Sequence, residues 1–166
     1  EGLRLIAARI DGIALPGDTF ALDDGGLTIP AARLPEGPFL WEAQVESDPA
    51  KNTALEGLYM SNGMYCTQCE AEGFRHITYY PDRPDVMARF RVTIHSDLPA
   101  LLSNGNPTET RPGFALWDDP WPKPAYLFAL VAGELQALRD HFTTASGRRV
   151  DLAIWVRSGD ESRTGH

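Results

Sequence analysis

The sequence predicts a mostly β domain of the sandwich or barrel type, and two observations support this fold class. Apolar and polar residues alternate along several segments, most regularly over residues 86–95 and 150–157. Alternation of this kind is typical of half-buried strands, because successive side chains point to opposite faces of a sheet. Turn signals separate the segments, as expected for short antiparallel strands; they include Asp11-Gly12, Asp24-Gly25-Gly26, Asn62-Gly63 and Asn104-Gly105-Asn106.

The same reasoning predicts strands along the whole chain, at residues 3–9, 20–22, 27–29, 39–46, 65–68, 86–95, 101–103, 114–117, 126–132 and 150–157. Residues 134–142 carry Leu135, Leu138 and Phe142 at helical spacing, but they fit a strand equally well. The all-β setting favours the strand. Residues 71–75 are long enough for one short helical turn.

Composition and charge exclude several functional classes. The chain has 166 residues, with 15 basic and 23 acidic side chains and a formal net charge of −8. Because an acidic surface repels phosphate groups, we expect neither a nucleic acid nor a membrane as partner. The longest apolar run, residues 125–132, is too short to cross a bilayer. Since the chain begins at Glu1 without an initiator Met, we expect an excised piece of a longer protein.

The two cysteines form the motif Cys66-Thr67-Gln68-Cys69. A structural zinc site needs four ligands, and no second cysteine pair accompanies this one. A redox-active pair is expected to open a helix beside a βαβ unit, whereas this pair ends a strand-like segment. A zinc or redox module is therefore the weaker alternative. We favour two reduced cysteines without a disulfide and expect no metal or cofactor in this chain.

Gln68 and Glu70 are the candidate binding residues. They stand two apart on a segment that reads as extended, so their side chains project from the same face. A carboxylate beside an amide can accept charge-assisted hydrogen bonds from an ammonium group. The alternative is that Gln68 and Glu70 only form a solvated polar face and bind no ligand. Without further information, the two residue types favour this alternative. The chain contains no His-Glu-x-x-His, Gly-x-Ser-x-Gly, Walker or dinucleotide motif, and so no self-contained active site.

Several co-linear blocks of sequence resemble a known family. They are Asn-Thr-Ala-Leu-Glu-Gly-Leu-Tyr-Met at 52–60, Cys-Thr-Gln-Cys-Glu-Ala-Glu-Gly-Phe-Arg-His-Ile-Thr-Tyr-Tyr at 66–80, Leu-Leu-Ser-Asn-Gly-Asn at 101–106, Trp-Asp-Asp-Pro-Trp-Pro-Lys-Pro at 117–124 and Tyr-Leu-Phe-Ala-Leu-Val-Ala-Gly at 126–133. From about residue 50 to residue 157 the chain resembles the N-terminal domain of the M1 zinc metallopeptidase family, in its bacterial, alanyl aminopeptidase branch.

The resemblance implies a saddle-like β sandwich at residues 1–157, lacking its first strands, and a polar tail at 158–166. The missing strands would leave a sheet edge open to pairing with a second copy. The tail would lead to a catalytic domain on which this domain packs. The family's zinc-binding helix would follow residue 166. Zinc is therefore expected in the full-length parent enzyme but not in this chain, which alone should show no peptidase activity.

The resemblance also implies roles for the two candidate residues. Glu70 would hold the free α-amine of a peptide substrate, and Gln68 would line the pocket for the first side chain. The parent would be a cytoplasmic aminopeptidase that releases N-terminal amino acids from peptides. A free-standing β-sandwich binding module without catalytic activity is the alternative function.

Overall fold

Short strands joined by turns make up the computed structural model, which describes residues 2–164. In chain order, strands β1 to β14 are Arg4–Ile10, Ile13–Ala14, Ala21–Asp23, Gly26–Thr28, Trp41–Glu46, Gly57–Ser61, Met64–Gln68, Met87–His95, Ala100–Ser103, Asn106–Arg111, Phe114–Pro124, Leu130–Gly133, Leu135–Thr143 and Arg149–Arg157. Short 3-10 helices lie at Ala31–Arg33, Pro49–Lys51, Phe74–His76, Ala125–Leu127 and Glu161–Thr164. No helix in this part of the chain is long and apolar enough to span a membrane.

Antiparallel pairing organises the strands into three sheets and two hairpins. The sheets have the orders β2-β1-β5, β10-β11-β8 and β6-β7-β12-β9, and the hairpins are β3-β4 and β13-β14. The predicted mostly β class is confirmed. The strand predicted over 134–142 is also confirmed, as β13.

Two of the sheets pack face to face around the first apolar cluster. Ile94 of β8 and Ala115 of β11 meet Leu101 of β9 and Ala132 of β12, and all four side chains are buried. The Trp117 indole Nε1 of β11 donates a hydrogen bond to the Leu101 carbonyl oxygen across the interface, at 2.9 Å. This contact joins the β10-β11-β8 sheet to the β6-β7-β12-β9 sheet as a sandwich.

A second apolar cluster lies under the turn that follows β7. Cys69, Phe74 and Ala125 are its buried members. The Phe74 ring meets Tyr80 and Phe128 edge-on, with centroid distances of 5.2 Å and 5.1 Å. Such edge-to-face aromatic pairs stabilise beyond the area they bury. Aromatic packing of Phe74 therefore anchors the short helix Phe74–His76 to the second cluster.

Three differences from the predicted strands have local causes. The segment predicted as one strand over 126–132 begins as the 3-10 helix Ala125–Leu127, which places Phe128 against Phe74. Strand β11 runs on to Pro124, because an irregularity between Asp119 and Lys123 accommodates the intervening prolines. Strand β10 was not predicted, because its side chains are all exposed and its pairing with β11 is made by the backbone.

Replacing Phe74 by alanine should remove the centre of the second cluster. Phe74 is 7% exposed and contacts three other aromatic rings, so we expect Phe74→Ala to lower the free energy of unfolding by about 3–5 kcal/mol in urea denaturation. Leu40→Ala is the control, since Leu40 is 61% exposed and should change stability little. Equal effects of the two substitutions would contradict this account of the core.

Candidate functional site

The two candidate residues lie where β7 gives way to a turn. Strand β7 ends at Gln68, and residues 70–73 turn before the short helix begins at Phe74. The prediction that Gln68 and Glu70 share one extended segment is therefore wrong, because the strand ends before Glu70. They are nevertheless neighbours: the Gln68 side-chain Nε2 donates to the Glu70 carbonyl oxygen at 3.2 Å. Both side chains are exposed, and the Glu70–Ala71 peptide bond is cis.

The Glu70 carboxylate differs from the other acids near it. Glu72 pairs with Arg75 at 3.3 Å, and Glu56 lies 3.4 Å from the His76 imidazole. Within residues 2–164, no hydrogen bond or ion pair is made by the Glu70 carboxylate. Its charge is therefore available to a ligand, whereas Glu72 and Glu56 already have neighbouring side chains as partners.

A buried carboxylate fixes the far end of the turn. The Arg75 backbone N–H donates to Asp82 Oδ2 at 3.0 Å, and Arg75 Nη2 donates to the Asp82 carbonyl oxygen at 2.8 Å. The Asp82 side chain is only 3% exposed, so these bonds form largely away from water. Charge-assisted bonds in such surroundings hold the helix Phe74–His76 against the loop that contains Asp82.

Two glycines allow the turn to lie directly against β6. Gly57 stands opposite Gln68 in the β6–β7 register and has a φ of +69°, in the left-handed region. A Cβ on Gly73 would meet the Gln68 carbonyl oxygen, would lie 3.0 Å from Cys69 Cα and would lie 3.2 Å from the Gly57 nitrogen. Backbone atoms thus pack against Gly73 where any other residue would place a side chain.

The Cys69 thiol beneath the turn is buried, and both cysteines are free. Burial, reinforced by the negative charge of Asp82, raises the pKa of Cys69 to about 11. The same two causes raise the pKa of Tyr80, with burial the larger. Cys69 therefore stays a protonated thiol at neutral pH, unlike the thiolate of a reactive redox cysteine.

The residues present do not fit a zinc ion. Across residues 2–164, no group of three His, Cys, Asp or Glu side chains converges closely enough to hold a metal. Cys66 and Cys69 belong to one strand end, and among the described residues no third ligand side chain joins them. No step of a reaction can therefore be assigned to a metal bound by these residues.

Sequence reasoning missed the residues that position the turn. Arg75 and Asp82 are seven apart and join segments without regular periodicity, so no pattern pairs them in advance. The available signal was an aspartate enclosed by aromatic residues and prolines, Tyr-Tyr-Pro-Asp-Arg-Pro at 79–84. A charged residue in such surroundings indicates a buried carboxylate with a partner.

Comparison with known proteins agrees with this fold and turn. A family model of the Peptidase M1 N-terminal domain matches residues 42–127, just over half of the chain, including the whole turn. The chain belongs to the M1 peptidase family. The resemblance found in the sequence blocks is thereby confirmed, and the M1 N-terminal domain contains both candidate residues within its matched part.

Relatives of this M1 N-terminal domain are much longer proteins. Aminopeptidase N of Caulobacter vibrioides is 51% identical over 173 residues, covering 100% of this chain and 20% of that protein. A crystal structure of Legionella pneumophila aminopeptidase A in complex with aspartic acid matches with a TM-score of 0.87 at 34% identity, covering 99% of this chain and 20% of that one. The M1 N-terminal domain thus spans about a fifth of the length of each of these two relatives.

A more distant structure shares the fold alone. It is a mutant M1 zinc metallopeptidase from Deinococcus radiodurans bound to a Tyr-Ser-Ala substrate, with a TM-score of 0.72 at 20% identity. The match covers 95% of this chain and 38% of that one.

Gly73→Ala should destabilise the turn that carries Glu70. The added methyl would collide with backbone atoms of Gln68, Cys69 and Gly57, so we expect a loss of about 1–3 kcal/mol in the free energy of unfolding by urea denaturation. Gly17→Ala is the matched control, because a Cβ there meets nothing within 4 Å and the backbone is not left-handed. Similar stability of the two variants would show that the turn does not pack as described.

The raised pKa of Cys69 predicts a loss of stability at high pH. The thiol ionises at about 9 in the unfolded chain and at about 11 in the fold, so between these values the unfolded state releases a proton that the folded state keeps. The free energy of unfolding should therefore be unaffected by this group below pH 9 and fall as the pH rises to 11. Denaturation curves recorded at a series of fixed pH values give the free energy of unfolding at each pH. Between pH 9 and pH 11 this free energy should fall less steeply for Cys69→Ala than for the wild type. Because Tyr80 titrates in both proteins, the difference isolates Cys69, and identical pH profiles would contradict the assignment.

Proposed function

We propose that this domain forms one wall of the substrate cleft of a zinc aminopeptidase that releases N-terminal amino acids from peptides. In that cleft, Glu70 binds the α-amine of the substrate and Gln68 lines the pocket for the first side chain. The observation that carries the proposal is the exposed Glu70 carboxylate, which has no partner within residues 2–164 and stands on a turn fixed by its neighbours. Residues 1–157 supply the domain, and residues 158–166 lead to the catalytic domain on which it packs.

This arrangement explains selection for chain ends in physical terms. A free N-terminus carries a positive ammonium group, whereas an internal peptide nitrogen is neutral. An anionic Glu70 therefore favours the terminus, and the bond between the two charges is of the strong, charge-assisted kind. The hydrogen bond from the Gln68 amide to the Glu70 carbonyl oxygen supports the proposal that the two residues act in one pocket.

A relative supports the choice of ligand. The Legionella aminopeptidase A structure is a complex with an amino acid, aspartic acid. Zinc, which polarises a peptide carbonyl and activates water in such enzymes, belongs in this proposal to the region of the parent enzyme outside this chain. This chain's own residues bind and orient the substrate and have no peptidase activity by themselves. The two free thiols suit a reducing compartment, and we place the enzyme in the cytoplasm.

Glu70→Gln in the full-length enzyme tests the proposal. The substitution keeps the shape of the side chain and removes its charge, so one ionic hydrogen bond to the α-amine becomes a neutral one. Losing such a bond costs about 2–3 kcal/mol, which corresponds to a fall of roughly 30- to 150-fold in kcat/KM for alanine p-nitroanilide.

Glu72→Gln is the matched control for this measurement. Glu72 is exposed on the same turn but is paired with Arg75, so its neutralisation should leave kcat/KM within about twofold of the wild type. An unchanged kcat/KM in Glu70→Gln, or equal losses in both variants, would remove Glu70 from the α-amine site.

A further inference from the structure

The hairpin β13-β14 has one apolar and one polar face. Opposed pairs in its register alternate between the faces, with Leu138 opposite Ile154 and Phe142 opposite Val150. The first face, here called the apolar ribbon face, is formed by Leu138, Phe142, Val150, Leu152, Ile154 and Val156. Among its opposed pairs only Gln136 and Asp140 are polar.

Large side chains on the apolar ribbon face are exposed. The exposed fractions are 48% for Leu138, 58% for Phe142, 45% for Leu152 and 54% for Ile154. Contiguous exposed apolar side chains of this size mark an interaction surface in a soluble protein, whereas scattered ones do not. The cross-strand pairing makes these four contiguous.

The opposite face of the hairpin carries charged and aromatic side chains that pair with one another within the hairpin. The Arg139 guanidinium lies over the Trp155 ring at 5.5 Å, and Arg149 pairs with Asp151 at 3.1 Å. These residues line an open cleft of about 1400 Å³ between the hairpin and β9–β11. On the apolar ribbon face, Val150 and Leu152 also line this cleft, whereas the other four residues of the face do not.

The described part of the chain leaves the four large side chains of the apolar ribbon face about half exposed. Residues 2–164 provide β13 and β14 with no third strand, and the two pair only with each other. A two-stranded hairpin is marginally stable in water unless another element packs on its apolar side. An element that packs on the apolar ribbon face would therefore stabilise the hairpin.

We propose that the apolar ribbon face is the docking surface for the part of the full-length polypeptide that follows residue 166. This inference rests on the proposed function, in which a catalytic domain follows this one. The helix Glu161–Thr164 contacts both β13 and β14, so a continuing chain would leave the domain beside the hairpin. Strand β1, by contrast, lies in the separate β2-β1-β5 sheet.

The length of the relatives favours this occupant over a second copy. This chain accounts for 20% of the Caulobacter protein, so a large additional surface belongs to the same polypeptide. A tethered segment acts at an effective concentration in the millimolar range, far above that of a second molecule in dilute solution. The docked segment would present aliphatic and aromatic side chains, because the face has a single charged residue, Asp140.

A photo-cross-linking amino acid identifies the occupant directly. Leu138→p-benzoylphenylalanine is introduced into the full-length protein, and Ala153→p-benzoylphenylalanine, on the opposite face of the hairpin, is the matched control. After irradiation, mass spectrometry should find intramolecular cross-links from position 138 to residues beyond 166, at least about tenfold more abundant than from position 153. Cross-links to a second copy, to an upstream segment or to neither, and equal yields at both positions, would each overturn the proposal.

Footprinting of the unmodified full-length protein keeps the test independent of folding defects. Hydroxyl radicals should oxidise Phe142 at least about fivefold more slowly than expected for a side chain with 58% exposure, at all protein concentrations. Oxidation at the exposed rate, or protection that appears only as the protein concentration rises, would overturn the proposal. Neither measurement involves Glu70 or Gln68, so the docking surface and the α-amine site can fail separately.

Discussion

Burial of Phe74 is the constraint on which the candidate site depends. Its ring fills the space among Tyr80, Phe90 and Phe128, and this packing fixes the chain that immediately follows the turn. The Asp82 carboxylate then holds the same chain laterally through the Arg75 backbone. Glu70 is thus positioned by its neighbours rather than by bonds of its own side chain, which leaves the carboxylate available to a ligand.

Positioning of this kind suits a residue that binds substrate. A carboxylate that must first break an internal ion pair loses part of its binding energy, and one on a mobile loop loses more to ordering. The turn avoids both costs, because Gly57 and Gly73 bring backbone against backbone and the exposed acids nearby pair with other residues. A ligand-binding side chain whose neighbours hold it in position is the arrangement expected of a specific site.

The sequence predicted those parts of the fold that depend on side-chain alternation. Strands β8 and β14 alternate regularly and were found near their predicted bounds, and β13 was correctly preferred over a helix. Strand β10 was missed because all of its side chains are exposed, so no alternation of apolar and polar residues marks it. Glu70 and Gln68 were proposed from the family motif, but their geometry was not predicted, because local periodicity does not show that β7 ends at Gln68 and that Glu70 lies in a turn.

The central claim is that the Glu70 charge recognises the substrate α-amine, and a thermodynamic cycle tests it most directly. Inhibition constants would be measured for two transition-state analogues, identical except that one lacks the α-amine, on the full-length enzyme and its Glu70→Gln variant. A direct interaction predicts a coupling free energy of about 2–3 kcal/mol, so that removing the amine weakens binding strongly only when Glu70 is present. Additive effects, with no coupling between the amine and Glu70, would contradict the account.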